Sequence, residues 1–213
     1  HEMSVASRLV IANMMCETGA KCGILPPDQV VADYLEEKLC SLASDPDAGY
    51  ADRYEVDLDA LEPVLACPHA VQNVKNVTEV EGVKIQQAFL GSCTNGRIED
   101  FLQAAEILRG QKIHPNVRMI VVPGSQTIYL EMARMGLLEM FTECGAAVLS
   151  PGCASCGGFG PGTIGNDEVC ISTTNRNWQG RMGPKSSSVY LGSAYSVAAA
   201  AVAGEIVSPL RYL

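Results

Sequence analysis

Runs of basic residues are missing from this chain of 213 residues: Lys and Arg number 15 against 24 Asp and Glu, a formal net charge of -9. A nucleic-acid backbone recruits protein through clustered cations, so that class of partner is excluded. Long apolar runs are missing as well, and no uninterrupted stretch is long enough to span a bilayer. The opening His1-Glu2-Met3-Ser4 lacks the basic region and apolar core of a secretory signal. His1-Glu2 reads as a tag remnant or as the point where a longer chain was cut. Repeats and low-complexity tracts are lacking too. These absences together predict a cytoplasmic protein with no membrane and no nucleic-acid partner.

What is present is an apolar fraction of 47%, enough for one large domain or two small ones. There are also 9 cysteines, a high and odd count without the spacing of a small disulfide-linked domain. Cys40, Cys67, Cys144 and Cys170 lie in apolar or strand-like surroundings and read as small buried hydrophobes of a reducing compartment. Cys16 and Cys22 lean the same way.

The remaining three cysteines stand in different company. Cys153 and Cys156 lie in Pro151-Gly152-Cys153-Ala154-Ser155-Cys156-Gly157-Gly158, a run of small residues that lets the backbone curl both sulfurs toward one centre. C-x-x-C alone is ambiguous between a zinc half-site, a redox dithiol and an iron–sulfur half-site. Cys93 lies upstream in Gly91-Ser92-Cys93-Thr94-Asn95-Gly96-Arg97. Three thiolates on a four-iron cluster leave one iron without protein sulfur. Such an iron has an open position and can act as a Lewis acid on a 2-hydroxy acid. The competing zinc reading needs a second close pair or a nearby histidine, and neither is evident.

Along the chain, apolar Val5, Leu9, Ala12 and Cys16 predict a first helix that Gly19 stops. Asn13 and Glu17 share one of its faces, and apolar neighbours predict that this helix is buried. Pro26-Pro27-Asp28 starts a second helix over 29–42. Residues 54–58 alternate like a strand, and 62–67 read as another. His69, in the loop over 68–74, is assigned no role. From residue 84 the pattern is regular: strands over 85–90, 117–122, 146–149, 169–173 and 189–192, helices over 97–109, 126–135, 137–143 and 195–203. This alternation predicts an α/β fold, three-layer α/β/α with mainly parallel sheets. Residues 1–80 would complete the domain and 81–213 would carry the cluster cysteines. In a parallel sheet ligands bind beyond the carboxyl ends of the strands. The Cys93 loop, the Cys153/Cys156 loop and the loop over 174–181 all follow strands, so they should converge on one edge. Arg176 and Arg181 in that last loop can each grip a carboxylate with two parallel hydrogen bonds.

Gly91-Ser92-Cys93-Thr94-Asn95, Cys153-x-x-Cys156, Asn175-Arg176-Asn177-Trp178-Gln179-Gly180-Arg181 and Asn13-Met14-x-x-Glu17-x-Gly19-Ala20 together resemble the aconitase superfamily. The branch they resemble is the large subunits of 3-isopropylmalate dehydratase and homoaconitase, of which the chain looks like the carboxyl-terminal half. The resemblance implies a hydro-lyase that isomerises 2-hydroxy di- or tricarboxylic acids by removing water and adding it back. 2-Isopropylmalate, in leucine synthesis, is the expected substrate; homoaconitate, methyl-substituted malates and citrate are alternatives. A non-catalytic metal-binding interaction domain is the alternative of another class. The implied cofactor is a [4Fe–4S] cluster held by Cys93, Cys153 and Cys156, with Asn13, Asn95 and Asn175 around it. Glu17 would help move the proton of the leaving hydroxyl, and Arg176 and Arg181 would bind substrate carboxylates. The implied partners are an amino-terminal domain and a small subunit whose swivelling domain carries the base. A chain without them is expected to be inactive. The glycine-rich run 157–162 departs from the family's pattern.

Overall fold

The protein is described here from a computed structural model over residues 3–36 and 43–213. Cys40 and the distal part of the helix expected over 29–42 lie outside the described residues. The chain forms two compact units, residues 1–62 and 63–213.

In the first unit, α1 (Val5–Met14) starts at Ser4, whose side chain accepts from the Ser7 N–H, and passes into a tight 3-10 turn over Met15–Thr18. Gly19, at φ 86°, ends it as the sequence predicts. The expected burial does not hold. Arg8 is the buried residue of α1, while Leu9 and Ile11 remain exposed. A unit this small cannot enclose a helix on every side. Cys16 and Cys22 are likewise exposed rather than buried. α2 (Gln29–Leu35) is capped by Asp28, which accepts from the N–H groups of Val30 and Val31. The same carboxylate takes both terminal nitrogens of Arg8, each at 2.8 Å, and this pairing holds its pKa below the usual carboxylate value. Residues 54–58 form no strand, because their alternating side chains are exposed and, among the described residues, no strand pairs with them.

The second unit is built on one sheet. Its strands are β1 (Val64–Ala66), β2 (Val74–Asn76), β3 (Gln87–Gly91), β4 (Arg118–Val122), β5 (Ala147–Val148), β6 (Val169–Ser172) and β7 (Ser188–Leu191). Their order is β2-β1-β7-β6-β3-β4-β5. The run from β7 to β5 is parallel, and β1 is antiparallel to both its neighbours. Helices α4 (Ile98–Leu108), α5 (Gln126–Arg134), α6 (Leu137–Cys144) and α7 (Ala194–Ala203) alternate with the strands as expected. The result is a mixed, mostly parallel α/β sheet.

Period-2 alternation divides each central strand between two cores. Ala88, Leu90, Met119 and Val121 face one, with side chains of α4, α6 and α7. Phe89, Ile120 and Val122 face the other, with Ile164 and Met182 from loops. Both faces are buried, which is why these strands read as continuous apolar runs. The thiols of the core are inert. Burial pushes Cys170 up to about 12 and also raises Cys144 and Cys67.

Helix α7 packs on α4 and β3 through Ala198, Ala199, Ala200 and Ala201, all fully buried. Only small side chains permit that approach. Ala198→Leu is expected to cost about 1–3 kcal/mol through overpacking, read as a lower urea midpoint at unchanged slope. An unchanged midpoint would show room that this packing denies.

Candidate functional site

Strand order reverses at β3. The chain runs from β3 outward through β4 to β5, then crosses back to β6 and β7 on the other side. The loops leaving β3 and β6 therefore diverge, and a crevice opens at their carboxyl ends, where such sheets bind ligands. The ends are level, since Gly91 pairs with Val122 and Phe89 with Ser172.

Gly91 makes the first turn possible. Its φ is 116°, and a Cβ there would sit 2.0 Å from the Val122 carbonyl oxygen. Ser92 follows at φ 74°, a conformation that costs a non-glycine residue about 1–3 kcal/mol. Together they start the one-turn helix α3 (Ser92–Asn95) and leave Ser92 buried and Cys93 exposed. Ala154, at φ 45°, introduces the same kind of turn between an exposed Cys153 and a buried Cys156.

Four loops then close into a ring of contacts. Asn95 Nδ2 donates to the Thr173 carbonyl at 2.7 Å, joining the loops after β3 and β6. Arg181 Nη2 reaches Cys156 Sγ at 3.8 Å, joining the loop after β6 to that after β5. The Gly152 N–H donates to the Pro123 carbonyl at 3.3 Å, and the Gly124 N–H to the Gly96 carbonyl at 2.9 Å, which returns to the first loop. The loops after β3, β4, β5 and β6 thus meet at one sheet edge; between them they carry Cys93 and Asn95, Cys153 and Cys156, and Asn175, Arg176 and Arg181. Asn95 spends its amide N–H on backbone. Asn175 offers its carbonyl to Arg176 Nη1 at 3.0 Å. Asn13 and Glu17 belong to the first unit, where Cys16 Sγ stands 3.1 Å from the Asn13 carbonyl and 3.6 Å from Glu17 Oε1.

Several buried polar atoms of the ring have no hydrogen-bond partner among the described protein groups. They include Ser92 Oγ, Ser155 Oγ and Arg181 Nε, each beside or against a cysteine. The edge is therefore lined with thiols and with O–H and N–H donors. Among the described residues, no three His, Cys, Asp or Glu groups stand close enough to share a single metal ion. Glycine in the run 157–162 has a local cause: a Cβ on Gly158, at φ 85°, would meet the Arg181 carbonyl at 3.0 Å.

Sequence reasoning passed over Thr173 and gave Asn177 no role of its own. Thr173 Oγ1 accepts from the Gly91 N–H at 2.8 Å, which locks β6 to the Cys93 turn. Asn177 is fully buried, and its Nδ2 donates to the carbonyls of Cys67 at 2.8 Å and Ala66 at 3.2 Å. Neither tie leaves a local signal, because the partners lie far away in the chain.

Behind the ring, Asp100 accepts from the Arg97 N–H at 2.9 Å in the first turn of α4. Burial outweighs that bond and pushes its carboxyl up to about 6 from an ordinary 3.8. A raised carboxyl favours the protonated folded state. That stabilisation is complete below 3.8 and lost as pH rises through about 6. Wild-type stability is therefore expected to fall across this window relative to Asp100→Asn. Urea midpoints of the two proteins measure it; parallel curves would contradict the assignment.

The loop chemistry has a counterpart among known proteins. A model of the aconitase family (aconitate hydratase) matches residues 1–204. The chain is 47% identical over 211 residues to the 3-isopropylmalate dehydratase large subunit 2 of Rubrobacter xylanophilus, covering 97% of this chain and 50% of that protein. It is 47% identical over 212 residues to a probable 3-isopropylmalate dehydratase large subunit of Methanothermobacter thermautotrophicus, covering 98% and 51%. A probable methanogen homoaconitase large subunit of Methanosarcina mazei is 44% identical over 214 residues, covering 99% and 54%. The chain thus spans about half the length of the curated relatives it matches. With a family match over residues 1–204 and relatives 44–47% identical over nearly all of its length, the chain belongs to the aconitase family.

Proposed function

We propose that this chain is part of the large subunit of an iron–sulfur hydro-lyase that interconverts 2-hydroxy acid isomers, with 2-isopropylmalate as substrate, in cytoplasmic leucine synthesis. The closed ring of loops carries this reading. It ties the loops that carry Cys93, Cys153 and Cys156 to the loop that carries Arg176 and Arg181, and a purely structural cluster has no use for two carboxylate clamps. The aconitase family implies an iron–sulfur cofactor, and the donor set fits one. Soft thiols beside hydroxyl and guanidinium N–H donors suit iron and bridging sulfide better than a hard divalent ion.

In this reading Cys93, Cys153 and Cys156 hold a [4Fe–4S] cluster. When bound, its iron lacking a cysteine ligand supplies a Lewis acid toward the substrate hydroxyl. The protein does the rest. Arg176 and Arg181 grip carboxylates and fix which carbon faces the cofactor. Arg181, directed at Cys156, and the hydroxyls of Ser92 and Ser155 offer hydrogen bonds to sulfur. Asn95 and Asn175 support the same surroundings. The base that takes the carbon-bound proton comes from a small subunit.

The test is reconstitution. Anaerobically prepared chain, with the remainder of a large subunit and a small subunit, is expected to turn over 2-isopropylmalate in preference to homoaconitate, citrate and methylmalates. The 213-residue chain alone is expected to show none of this turnover even with iron bound. Activity from the isolated chain refutes the shared-site reading, and preference for a tricarboxylate moves the substrate toward homoaconitate or citrate.

A further inference from the structure

Trp178 is the one tryptophan of the chain, and it stands 48% exposed at the crevice loop. An indole left in water has given up much of the burial it could have had. Yet its backbone is fixed on both sides. Asn177 just before it is fully buried and tied to the Cys67 carbonyl at 2.8 Å. Trp178 itself pairs in a parallel bridge with His69, the histidine left without a role. The turn after it closes through the Arg181 N–H to the Trp178 carbonyl at 2.9 Å.

This turn brings the Arg181 guanidinium carbon to 5.8 Å from the centre of the indole ring. That lies within the reach of a cation–π contact, about 6 Å. The same guanidinium directs Nη2 at Cys156 Sγ, 3.8 Å away. One contact therefore engages an outer nitrogen of the fork, and the other sets its central carbon over the indole ring. A long arginine side chain presents a fork in one orientation only if both are restrained.

We propose that Trp178 is a positioning residue whose ring holds the Arg181 fork in the plane that receives a substrate carboxylate. The inference rests on the reading of Arg181 as a carboxylate clamp. Trp178 touches no reacting atom and acts through Arg181. Its exposure is the consequence of facing a side chain at the crevice rather than the core.

Two measurements test it. In the reconstituted enzyme, Trp178→Ala is expected to raise KM for 2-isopropylmalate about three- to fivefold. kcat should stay within about twofold, because the clamp binds ground and transition states alike. Trp178→Phe keeps an aromatic face and should restore most of the loss. On an Arg181→Lys background the effect of Trp178→Ala should vanish, since the fork it orients is gone. Additive losses in the double variant, or wild-type KM in Trp178→Ala while Arg181→Lys is impaired, overturn the positioning role and leave the clamp standing. Unchanged kinetics in Arg181→Lys overturns the clamp, and the inference with it. The second measurement needs no turnover. Emission of the sole indole in the 213-residue chain should shift in Arg181→Lys and not in Arg176→Lys. Identical spectra for Arg181→Lys and wild type overturn the contact.

Discussion

Serine at Cys93, Cys153 or Cys156 is expected to leave the anaerobically prepared protein without its iron, while alanine at Cys67 or Cys170 leaves the iron in place. The two groups of cysteine differ in position. Cys67 and Cys170 are buried in the sheet, and burial raises their thiols, to about 12 at Cys170. The protonated thiol is no ligand. Cys93 and Cys153 are exposed at strand ends, each next to a residue whose backbone takes a left-handed turn. Cys156 is buried, but in the loop after β5 rather than in the sheet, with Arg181 Nη2 at 3.8 Å from its sulfur. Serine keeps the size of cysteine but offers a hard oxygen in place of a soft sulfur. Iron per chain and visible absorbance read the loss, and circular dichroism confirms that the fold is retained. Full iron in any one of the three serine variants removes that residue from the ligand set.

The second large effect lies in the arginines. Truncating one partner of a desolvated, charge-assisted pair typically costs about 2–5 kcal/mol. Arg176→Lys or Arg181→Lys in the reconstituted enzyme is therefore expected to lower kcat/KM at least about a hundredfold, since about 1.36 kcal/mol is tenfold. Lysine keeps the charge and loses the fork, so geometry is tested apart from net charge. Both side chains are part-buried at the loop after β6 and outside either hydrophobic core. The fold and the iron should accordingly survive. Near-wild-type kinetics would mark them as solvated surface arginines; loss of iron or precipitation would mark them as structural.

Much of this site was legible because its parts are local. Strand–loop–helix punctuation from β3 to α7 follows Gly, Pro and apolar period, and parallel topology then dictates which ends meet. Where the reading went wrong, tertiary partners decided. Residues 54–58 alternate Tyr, Glu, Val, Asp, Leu like a half-buried strand, but a strand exists only beside another. The converse is β2, whose Val-Lys-Asn carries almost no strand signal and forms because β1 lies alongside. Thr173, Asn177 and the ring of Trp178 act through groups brought near by the fold, and a motif names residues without saying what they lean on. Cys16 and Cys22 show the same limit: apolar neighbours in sequence do not guarantee a core around them.

The central claim is that three cysteines of this chain hold four irons and leave one without protein sulfur. Mössbauer spectroscopy of the chain loaded anaerobically with iron-57 tests it most directly. The account predicts one iron site distinct from the rest, shifted when 2-isopropylmalate is added to the reconstituted enzyme, and lost first on exposure to air to leave a three-iron species. Stoichiometric zinc in place of iron, or iron sites that are all equivalent and unmoved by substrate, would contradict it.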